Sequence, residues 1–495
     1  MSKPRMTTLI FAAFLAVSAL LLLAFTLGES RAVAAGVESN PQEEVRPAYA
    51  AASEVYLPVS VLNYPWRSPF GAESNDRWYP GSNIYNKGVE LNLKWARLGQ
   101  RVSWRKLQPA EGDPIDWTKL AKFEQELRAL KAAGITPVVM ISDSPHWATV
   151  KPTSCAAIRK DKFPAFETFV RALVARYKTP EFYVHDWEIG NEPDVDPVFV
   201  KKDSVFGCWG NIGDEFYGGE HYGEMLKVIG PAIKQVDPDA KVWFGGLLLA
   251  SPDSSAGKPE LFLKGALEAG AGPYFDVLGY HWYPPYMNQA IDHDLLGRWK
   301  DLGGGTIGKA QFLRSIMAEY GVDKPLVLNE TSLMCPPTVG GQLTTYCNPP
   351  ATAFYQMQAN YGVRSFVRGL SVDLMGFSWY TLNGPGWRYT GLLDDQGQPR
   401  PSYLAYKHLI AELQFSRFTD PVNYGTGLEG YAFKRGKEVV HIVWAIENVT
   451  LPVSVPKAKF VAAFNRDGKA ITPTLTGNNY NLNVGFKPVY IIRHP

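Results

Sequence analysis

The stretch that most constrains the fold is residues 186–194, and the residues before it, 182–184, are expected to begin a buried strand. Residues 182–184 read Phe-Tyr-Val, and Pro193 stops any further regular structure. Glu192 therefore stands where a strand gives way to a loop. Asn191 beside it can offer an amide to a ligand. This stretch predicts a functional carboxyl group at the end of a strand.

A second acid, Glu330, repeats the arrangement 138 residues after Glu192. Residues 325–331 read Pro-Leu-Val-Leu-Asn-Glu-Thr, an apolar strand that runs out onto an acid. In a (β/α)8 barrel the carboxyl ends of the strands carry the chemistry on one face. The spacing leaves room for roughly three βα units of about 40 residues each. Cleavage of a glycosidic bond usually needs two carboxyl groups, so the two acids are candidate partners.

The motif around Glu192 resembles those of clan A of the glycoside hydrolases. Residues 187–194 read Trp-Glu-Ile-Gly-Asn-Glu-Pro-Asp, and a strand-end Glu follows later in the chain. Families 39 and 5 are the most similar, and families 51, 44 and 79 have similar Gly-Asn-Glu strings. The resemblance covers residues 55–413. It implies a (β/α)8 TIM barrel and a retaining mechanism, with Glu192 as acid/base and Glu330 as nucleophile. It implies no metal and no organic cofactor.

Each of these acids also has a structural alternative. Glu192 or Glu330 could belong to a structural ion pair. Glu188 lies four residues before Glu192 on the same side of the strand but deeper, and we interpret it as a buried supporting acid.

The resemblance further implies an arginine at the end of the second strand. Arg97 matches it, but residues 99–101 push the following Ser-Trp pair along the chain, so Arg101 competes for the role. A guanidinium beside the nucleophile would keep a carboxylate ionised. The alternative for Arg97 is a surface salt bridge.

Three aromatic positions follow from the same resemblance. His281 and Tyr283 match a His-x-Tyr after strand six, where Tyr283 would bond the nucleophile and His281 the leaving side. Trp379, near the end of strand eight, would form the floor under the sugar. Asn191 would bind the 2-hydroxyl of the sugar. An aromatic strand end without a role is the alternative for the His-x-Tyr.

His146 and Trp147 end the third strand as a His-Trp pair. Such a pair could line a sugar subsite, because flat apolar rings pack against sugar faces. A packed loop histidine and a core tryptophan remain the alternative reading.

The four cysteines favour disulfides, because an even number in an exported chain is typical of them. Cys335 and Cys347 flank one short loop and are the first expected pair, which leaves Cys155 with Cys208. Free buried thiols are the alternative. The absence of a Cys-x-x-Cys spacing disfavours a metal site.

The N-terminus predicts export. Lys3 and Arg5 precede an apolar run at residues 9–27, and residues 32–34 read Ala-Val-Ala, a small-residue cleavage site. We predict a signal peptide over residues 1–34 and a secreted or extracytoplasmic protein. An uncleaved membrane anchor is the alternative, because the apolar run is about long enough to span a bilayer.

The rest of the chain divides into three parts. Residues 35–54 form a flexible leader, residues 55–413 the barrel, and residues 414–495 a small antiparallel β-sandwich of short strands. Residues 55–62 are a candidate first strand, either of the barrel or of the second domain, and the turn-rich residues 65–80 are expected to be a loop. A net charge of +2 gives no argument for nucleic acid or a membrane surface as partner.

The expected substrate is a plant-type or bacterial polysaccharide or oligosaccharide; the sugar, the linkage and endo or exo cleavage stay open. Two other functions fit the same fold. One is a carbohydrate-binding pseudoenzyme, which retention of both strand-end acids disfavours, and the other is a transglycosylase.

Overall fold

The computed structural model describes residues 68–339 and 342–495. Eight strands close into a barrel in which each strand pairs in parallel with its two neighbours, and β1 closes the ring against β2 and β8. The strands are β1 Phe70–Glu73, β2 Trp95–Ser103, β3 Thr136–Ser142, β4 Asp186–Asn191, β5 Lys241–Leu247, β6 Val277–Trp282, β7 Leu326–Thr331 and β8 Gly376–Tyr380. The predicted (β/α)8 barrel is confirmed.

The helices that surround the barrel bury one apolar face against the strands. In α4, for example, Phe166, Phe169, Val170 and Leu173 recur at helical spacing and are all buried. The α-helices of the described residues are α1 Asn83–Glu90, α2 Trp104–Leu107, α3 Ala121–Ala132, α4 Phe163–Tyr177, α5 Gly219–Val236, α6 Glu260–Glu268, α7 Gly304–Glu319, α8 Thr352–Ser371 and α9 Pro401–Leu413.

An apolar plug fills the inside of the barrel below the catalytic face. The rings of Trp95 and Trp243 lie 6.2 Å apart between their centroids and are fully buried. Val138, Val277 and Val327 complete the plug. Because side chains alternate along a strand, the residue two positions after Trp95, which is Arg97, also points into the barrel. The plug therefore supports a polar layer above it.

The C-terminal strands form two packed antiparallel sheets, which confirms the predicted β-sandwich. One sheet has the order β9-β10-β11-β16-β13, and the other has the order β12-β15-β14. The strands are β9 Arg417–Pro421, β10 Leu428–Arg435, β11 Glu438–Ala445, β12 Leu451–Pro456, β13 Phe460–Asn465, β14 Thr474–Thr476, β15 Asn479–Val484 and β16 Val489–Arg493.

The sandwich is attached to helix α8 by buried charged groups. Arg368 forms ion pairs with Glu429 of the sandwich at 2.7 Å and with Asp294 of the barrel at 3.2 Å. Arg466 of the sandwich donates to Asn360 of α8 at 2.7 Å. These bonds lie within a shared buried surface and hold the two units together.

The first barrel strand lies where the sequence predicts a loop. Residues 55–62 lie outside the described residues, whereas β1 lies at Phe70–Glu73, inside the stretch 65–80 that was expected to be a loop. The strand is four residues long and contains Gly71, which is required because a side-chain Cβ there would lie 2.4 Å from the Trp95 ring. Such a short strand gives no alternating pattern.

Both expected disulfides are present. Cys335 and Cys347 have Cα atoms 5.4 Å apart and close the loop after β7. Cys155 and Cys208 have Cα atoms 5.0 Å apart and join the loop after β3 to the loop after β4. Each disulfide therefore fastens a loop that follows a barrel strand.

The predicted signal peptide, the alternative anchor and the leader lie outside the described residues. Within residues 68–339 and 342–495, no helix has the length and apolar character that crossing a bilayer requires.

Candidate active site

Arg97 lies at the centre of a polar cluster at the carboxyl ends of the strands, and its side chain is fully buried. Its guanidinium donates to Glu188 at 2.6 and 3.0 Å, to Glu73 at 2.7 Å and to Asn191 Oδ1 at 2.8 Å. It also donates to Glu330 Oε1. One planar cation from β2 thus joins the ends of β1, β4 and β7.

Arg101, the competing candidate, contacts other groups. It bonds the buried carboxylate of Glu126 at 3.0 Å and the main-chain oxygen of Ser74 at 2.7 Å. Between the two arginines, the structure therefore brings Arg97, and not Arg101, to the strand-end acids.

Glu330 has the environment of an ionised carboxylate. The hydroxyl of Tyr283 donates to its Oε2 at 2.6 Å, and His281 Nδ1 lies 3.6 Å from the same oxygen. Burial raises the pKa of the Glu330 carboxyl, but the charges of His281 and Arg97 and the bond from Tyr283 outweigh it and hold the pKa below its usual range.

Glu192 is buried beside His281 just after the end of β4. It follows β4 with a φ of 49°, and its main-chain nitrogen donates to Gly246 O at 2.9 Å. Its Oε1 lies 2.8 Å from His281 Nδ1. Burial raises the pKa of Glu192, and although His281 lowers it, the net shift is upward.

The two acids face each other across His281. A carboxylate oxygen of Glu192, a carboxylate oxygen of Glu330 and a ring nitrogen of His281 lie within 4.8 Å of one another. Burial lowers the pKa of His281, but the two carboxylates outweigh it and raise the pKa. The same three groups could share a cation, but Glu330 already accepts a bond from the guanidinium of Arg97.

Glu188 lies below these acids, deeper in the barrel. It accepts two bonds from Arg97, one from Asn329 Nδ2 at 2.8 Å and one from the main-chain nitrogen of Gly246 at 3.1 Å. Its oxygens are therefore occupied by protein donors, which suits a counter-ion for Arg97.

Glu73 is a member of the cluster that the sequence reasoning missed. It ends β1, and it is 5% exposed. Burial raises the pKa of its carboxyl to about 7, although Arg97 acts in the opposite direction. A strand that ends on a glutamate is the pattern that identified the other acids, and it would also have identified Glu73. The residues of this strand, however, were interpreted as a loop.

An aromatic wall stands beside the two acids. The ring of Tyr283 lies 6.0 Å from that of Tyr380 and 5.4 Å from that of Trp387, both at edge-to-face angles. All three side chains are half-buried. Tyr380 and Trp387 were not predicted, because they lie at and beyond the end of β8.

Trp379 does not face this wall, so the prediction that it forms the floor under the sugar is wrong. Its indole donates to Thr390 O at 2.9 Å, and its ring packs against Phe366 of α8 and Tyr406 of α9. Trp379 therefore lies between the barrel and its helices. Alternation along β8 directs the next residue, Tyr380, to the opposite side.

His146 and Trp147 lie in the loop after β3 and do not bond the acids. His146 Nε2 lies 2.8 Å from Asp203 Oδ1 in the loop after β4. Trp147 packs edge-on against Trp104, with ring centroids 5.2 Å apart. The pair belongs to the rim formed by these two loops.

No protein-family model matches the chain, and no curated protein matches it. Solved structures do match. A family 39 glycoside hydrolase from the gut symbiont Bacteroides cellulosilyticus WH2 is 18% identical, with a TM-score of 0.62, and the match covers 86% of this chain and 81% of that one. A family 39 β-xylosidase from Caulobacter crescentus is 18% identical, with a TM-score of 0.54, and the match covers 86% and 96%.

A family 30 endoxylanase from Clostridium papyrosolvens C71 is 13% identical, with a TM-score of 0.54 and coverage of 87% and 97%. At these identities the likeness concerns the fold. The resemblance to clan A that the motif around Glu192 indicates is confirmed at that level: the chain has the fold of family 39 and family 30 glycoside hydrolases.

Proposed function

We propose that the protein is an exported retaining β-glycoside hydrolase that acts by double displacement. The observation that carries the proposal is the pair formed by Glu192 and Glu330. Their oxygens lie within 4.8 Å, and their pKa values are shifted in opposite directions. Retaining enzymes have carboxyl groups about 5 to 5.5 Å apart, whereas inverting enzymes need about 6.5 to 9.5 Å for a water molecule.

In the first step Glu192 gives its proton to the glycosidic oxygen while Glu330 attacks the anomeric carbon. The C–O bond to the leaving group breaks, and a covalent glycosyl-Glu330 forms. The raised pKa of Glu192 suits the donor, and the lowered pKa of Glu330 suits the nucleophile. Tyr283 and Arg97 hold Glu330 in its ionised form.

In the second step Glu192, now a carboxylate, takes a proton from water. The water attacks the anomeric carbon, and Glu330 is released with overall retention of configuration. His281, bonded to Glu192 Oε1, keeps that carboxylate in place during both steps. Asn191, held by Arg97 through its Oδ1, presents its amide for the 2-hydroxyl of the sugar.

The aromatic wall and the neighbours suggest where to look for substrates. Rings such as those of Tyr283 and Trp387 pack against the apolar faces of sugars. The neighbours include a β-xylosidase and an endoxylanase. Export is supported by the two disulfides and by a neighbour that is described as an exported protein of Bacteroides fragilis.

The test is hydrolysis of aryl β-xylosides, β-glucosides and β-galactosides, together with xylan, β-glucan and a bacterial exopolysaccharide. Proton NMR spectroscopy identifies the first anomer released. A β product supports retention, and an α product overturns the role of Glu330. Binding without turnover would indicate a pseudoenzyme, and longer products at high substrate concentration a transglycosylase.

A further inference from the structure

A buried lysine that the proposed mechanism does not use lies behind the acid/base. Lys309 belongs to α7, outside the barrel, and it is 2% exposed. Its Nζ donates to the main-chain oxygens of Leu248 and His281, each at 2.7 Å. These oxygens lie at the carboxyl ends of β5 and β6. A surrounding helix thus extends one cation to the catalytic face.

The two residues that Lys309 holds are the neighbours of the acid/base segment. His281 carries the ring that lies 2.8 Å from Glu192 Oε1. The main-chain nitrogens of Leu248 and Leu249 donate to Asp194 at 2.9 and 2.7 Å, and Asp194 follows Glu192 by two residues. The segment that contains Glu192 is therefore held through the His281 ring on one side and through the Asp194 carboxylate on the other.

Two indole rings lie close to the ammonium group of Lys309. Its Nζ lies 5.0 Å from the ring centroid of Trp282 and 5.7 Å from that of Trp299. The charged groups that act on it are Asp194 and Glu192; burial lowers its pKa to about 7, and these carboxylates act in the opposite direction. A buried ammonium is costly, so its retention beside the acid/base calls for a role.

We propose that Lys309 is a positioning residue for Glu192: it holds His281 against the acid/base, and its positive charge favours the carboxylate form of Glu192. The proposal rests on the proposed glycosidase function. Glu192 must be protonated in the first step and ionised in the second. A cation that acts through His281 and Asp194 assists the ionised form without touching the substrate.

One consequence is that the charge of Lys309 affects the pKa of Glu192. When Lys309 loses its proton, a positive charge near Glu192 disappears, and the carboxyl of Glu192 then holds its proton more tightly. The replacement Lys309→Met, which removes the charge and keeps the length of the side chain, should imitate that state permanently.

The experiment measures kcat/KM against pH for Lys309→Met, with Lys264→Met as the matched control. Lys264 is a half-buried lysine of α6 that pairs with Glu319, away from the strand-end acids. Each enzyme is given an alkyl or phenyl β-glycoside, whose leaving group needs a proton, and a dinitrophenyl β-glycoside, whose leaving group does not. Without Lys309, His281 no longer holds the Glu192 carboxyl in place, and that carboxyl is a weaker acid. We therefore expect Lys309→Met to lose about tenfold in kcat/KM on the first substrate and little on the second.

The alkaline limb of kcat/KM should also move to higher pH in Lys309→Met, because Glu192 keeps its proton longer. A residue that only stabilises the fold would lower kcat/KM equally for both substrates and leave the alkaline limb in place. This result would overturn the proposal. Asp194→Asn provides a second variant in case Lys309→Met does not fold, and it should show the same dependence on the leaving group.

A readout independent of turnover separates this proposal from the proposed function. In protein labelled with ¹⁵N-histidine, NMR spectroscopy follows the ring signal of His281, assigned with His281→Gln. We expect its titration to change in Lys309→Met and to stay the same in Lys264→Met. An unchanged titration would overturn the role of Lys309. An inactive wild type with a changed titration would overturn the glycosidase function alone.

Discussion

Glu73 and Glu330 accept hydrogen bonds from the same nitrogen, Nη1 of Arg97. Glu188 accepts from the other two nitrogens of that guanidinium. Three carboxyl groups thus share one cation in a buried site, and they cannot all be ionised without excess negative charge. The pKa of Glu73 is raised to about 7 and that of Glu330 is lowered, so below about pH 7 the proton resides on Glu73 while Glu330 stays charged.

This division predicts how Glu73 affects stability. Because the folded protein holds the Glu73 proton more tightly than the unfolded chain, the contribution of Glu73 is fully present below about pH 4.5 and is lost as the pH rises through about 7. Glu73→Gln keeps the neutral form at every pH. We expect its melting temperature relative to wild type to rise between pH 5 and pH 8, as measured by calorimetry.

The control for this experiment is Glu181→Gln, an exposed glutamate that pairs with Arg128 at 2.7 Å. The difference in melting temperature between Glu181→Gln and wild type should stay nearly constant over the same pH range, because exposed ion pairs contribute little to stability. If the difference in melting temperature between Glu73→Gln and wild type also stayed constant, Glu73 would be ionised over this whole pH range.

A second prediction concerns Tyr283, whose hydroxyl donates to Glu330 Oε2 at 2.6 Å. Tyr283→Phe removes a bond to the charged form of Glu330, so the pKa of Glu330 should rise. The acid limb of kcat/KM should move to higher pH, and kcat/KM near neutrality should fall about 10- to 100-fold, the loss expected for one bond to a charged group.

Tyr380→Phe is the matched control, because the Tyr380 hydroxyl lies 3.4 Å from Asn75 and bonds neither catalytic acid. It should leave the acid limb in place. An unmoved acid limb in Tyr283→Phe would mean that Arg97 and His281 alone keep Glu330 ionised.

The sequence was most informative where an apolar strand is long enough to show its end. The strand ends at Glu192, His281 and Glu330 could be located from their composition, and Arg97 follows from the second strand. The expected start of β4 at residues 182–184 is wrong, since β4 begins at Asp186 and Tyr183 is exposed. β1 could not, since its four residues include Gly71 and lie among turn residues. Without that strand, Glu73 could not be placed beside Arg97.

The direction in which a side chain points and its depth in the fold also could not be predicted from the sequence. Trp379 and Tyr380 are adjacent, and a one-residue change of register decides which of them faces the site. Lys309 lies in a helix, where a lysine normally indicates a solvent-exposed position. Only the packing of α7 against β5 and β6 makes it a buried cation.

The two disulfides give a third prediction. The two cysteines of a pair are 12 residues apart in Cys335–Cys347 and 53 residues apart in Cys155–Cys208. If each stabilises by restricting the unfolded chain, replacing both cysteines of a pair with serine should cost about 3 kcal/mol for the short loop and about 4 kcal/mol for the long one. Unfolding in urea measures both, and the opposite order would mean that native-state contacts dominate.

The roles of Glu192 and Glu330 can be assigned from the anomeric configuration of the glycosyl azide that each alanine variant forms when azide is added. In Glu330→Ala no covalent intermediate can form, so azide enters the vacated space and attacks the anomeric carbon directly. The glycosyl azide should have inverted configuration. Glu192→Ala keeps the nucleophile, so a dinitrophenyl glycoside, which needs no proton from the enzyme, still forms the covalent intermediate. Azide then releases a product of retained configuration.

The expected configurations follow from the environments of the two carboxyl groups. Tyr283 and Arg97 donate to Glu330, the group that must be charged to attack, whereas Glu192 has His281 as its side-chain partner and a raised pKa. If the two azide products came out with exchanged configurations, the acid/base and the nucleophile would be exchanged as well. If both variants kept full activity on a natural polysaccharide, the reaction would take place elsewhere, because neither the proton donor nor the nucleophile can be replaced by alanine in this mechanism.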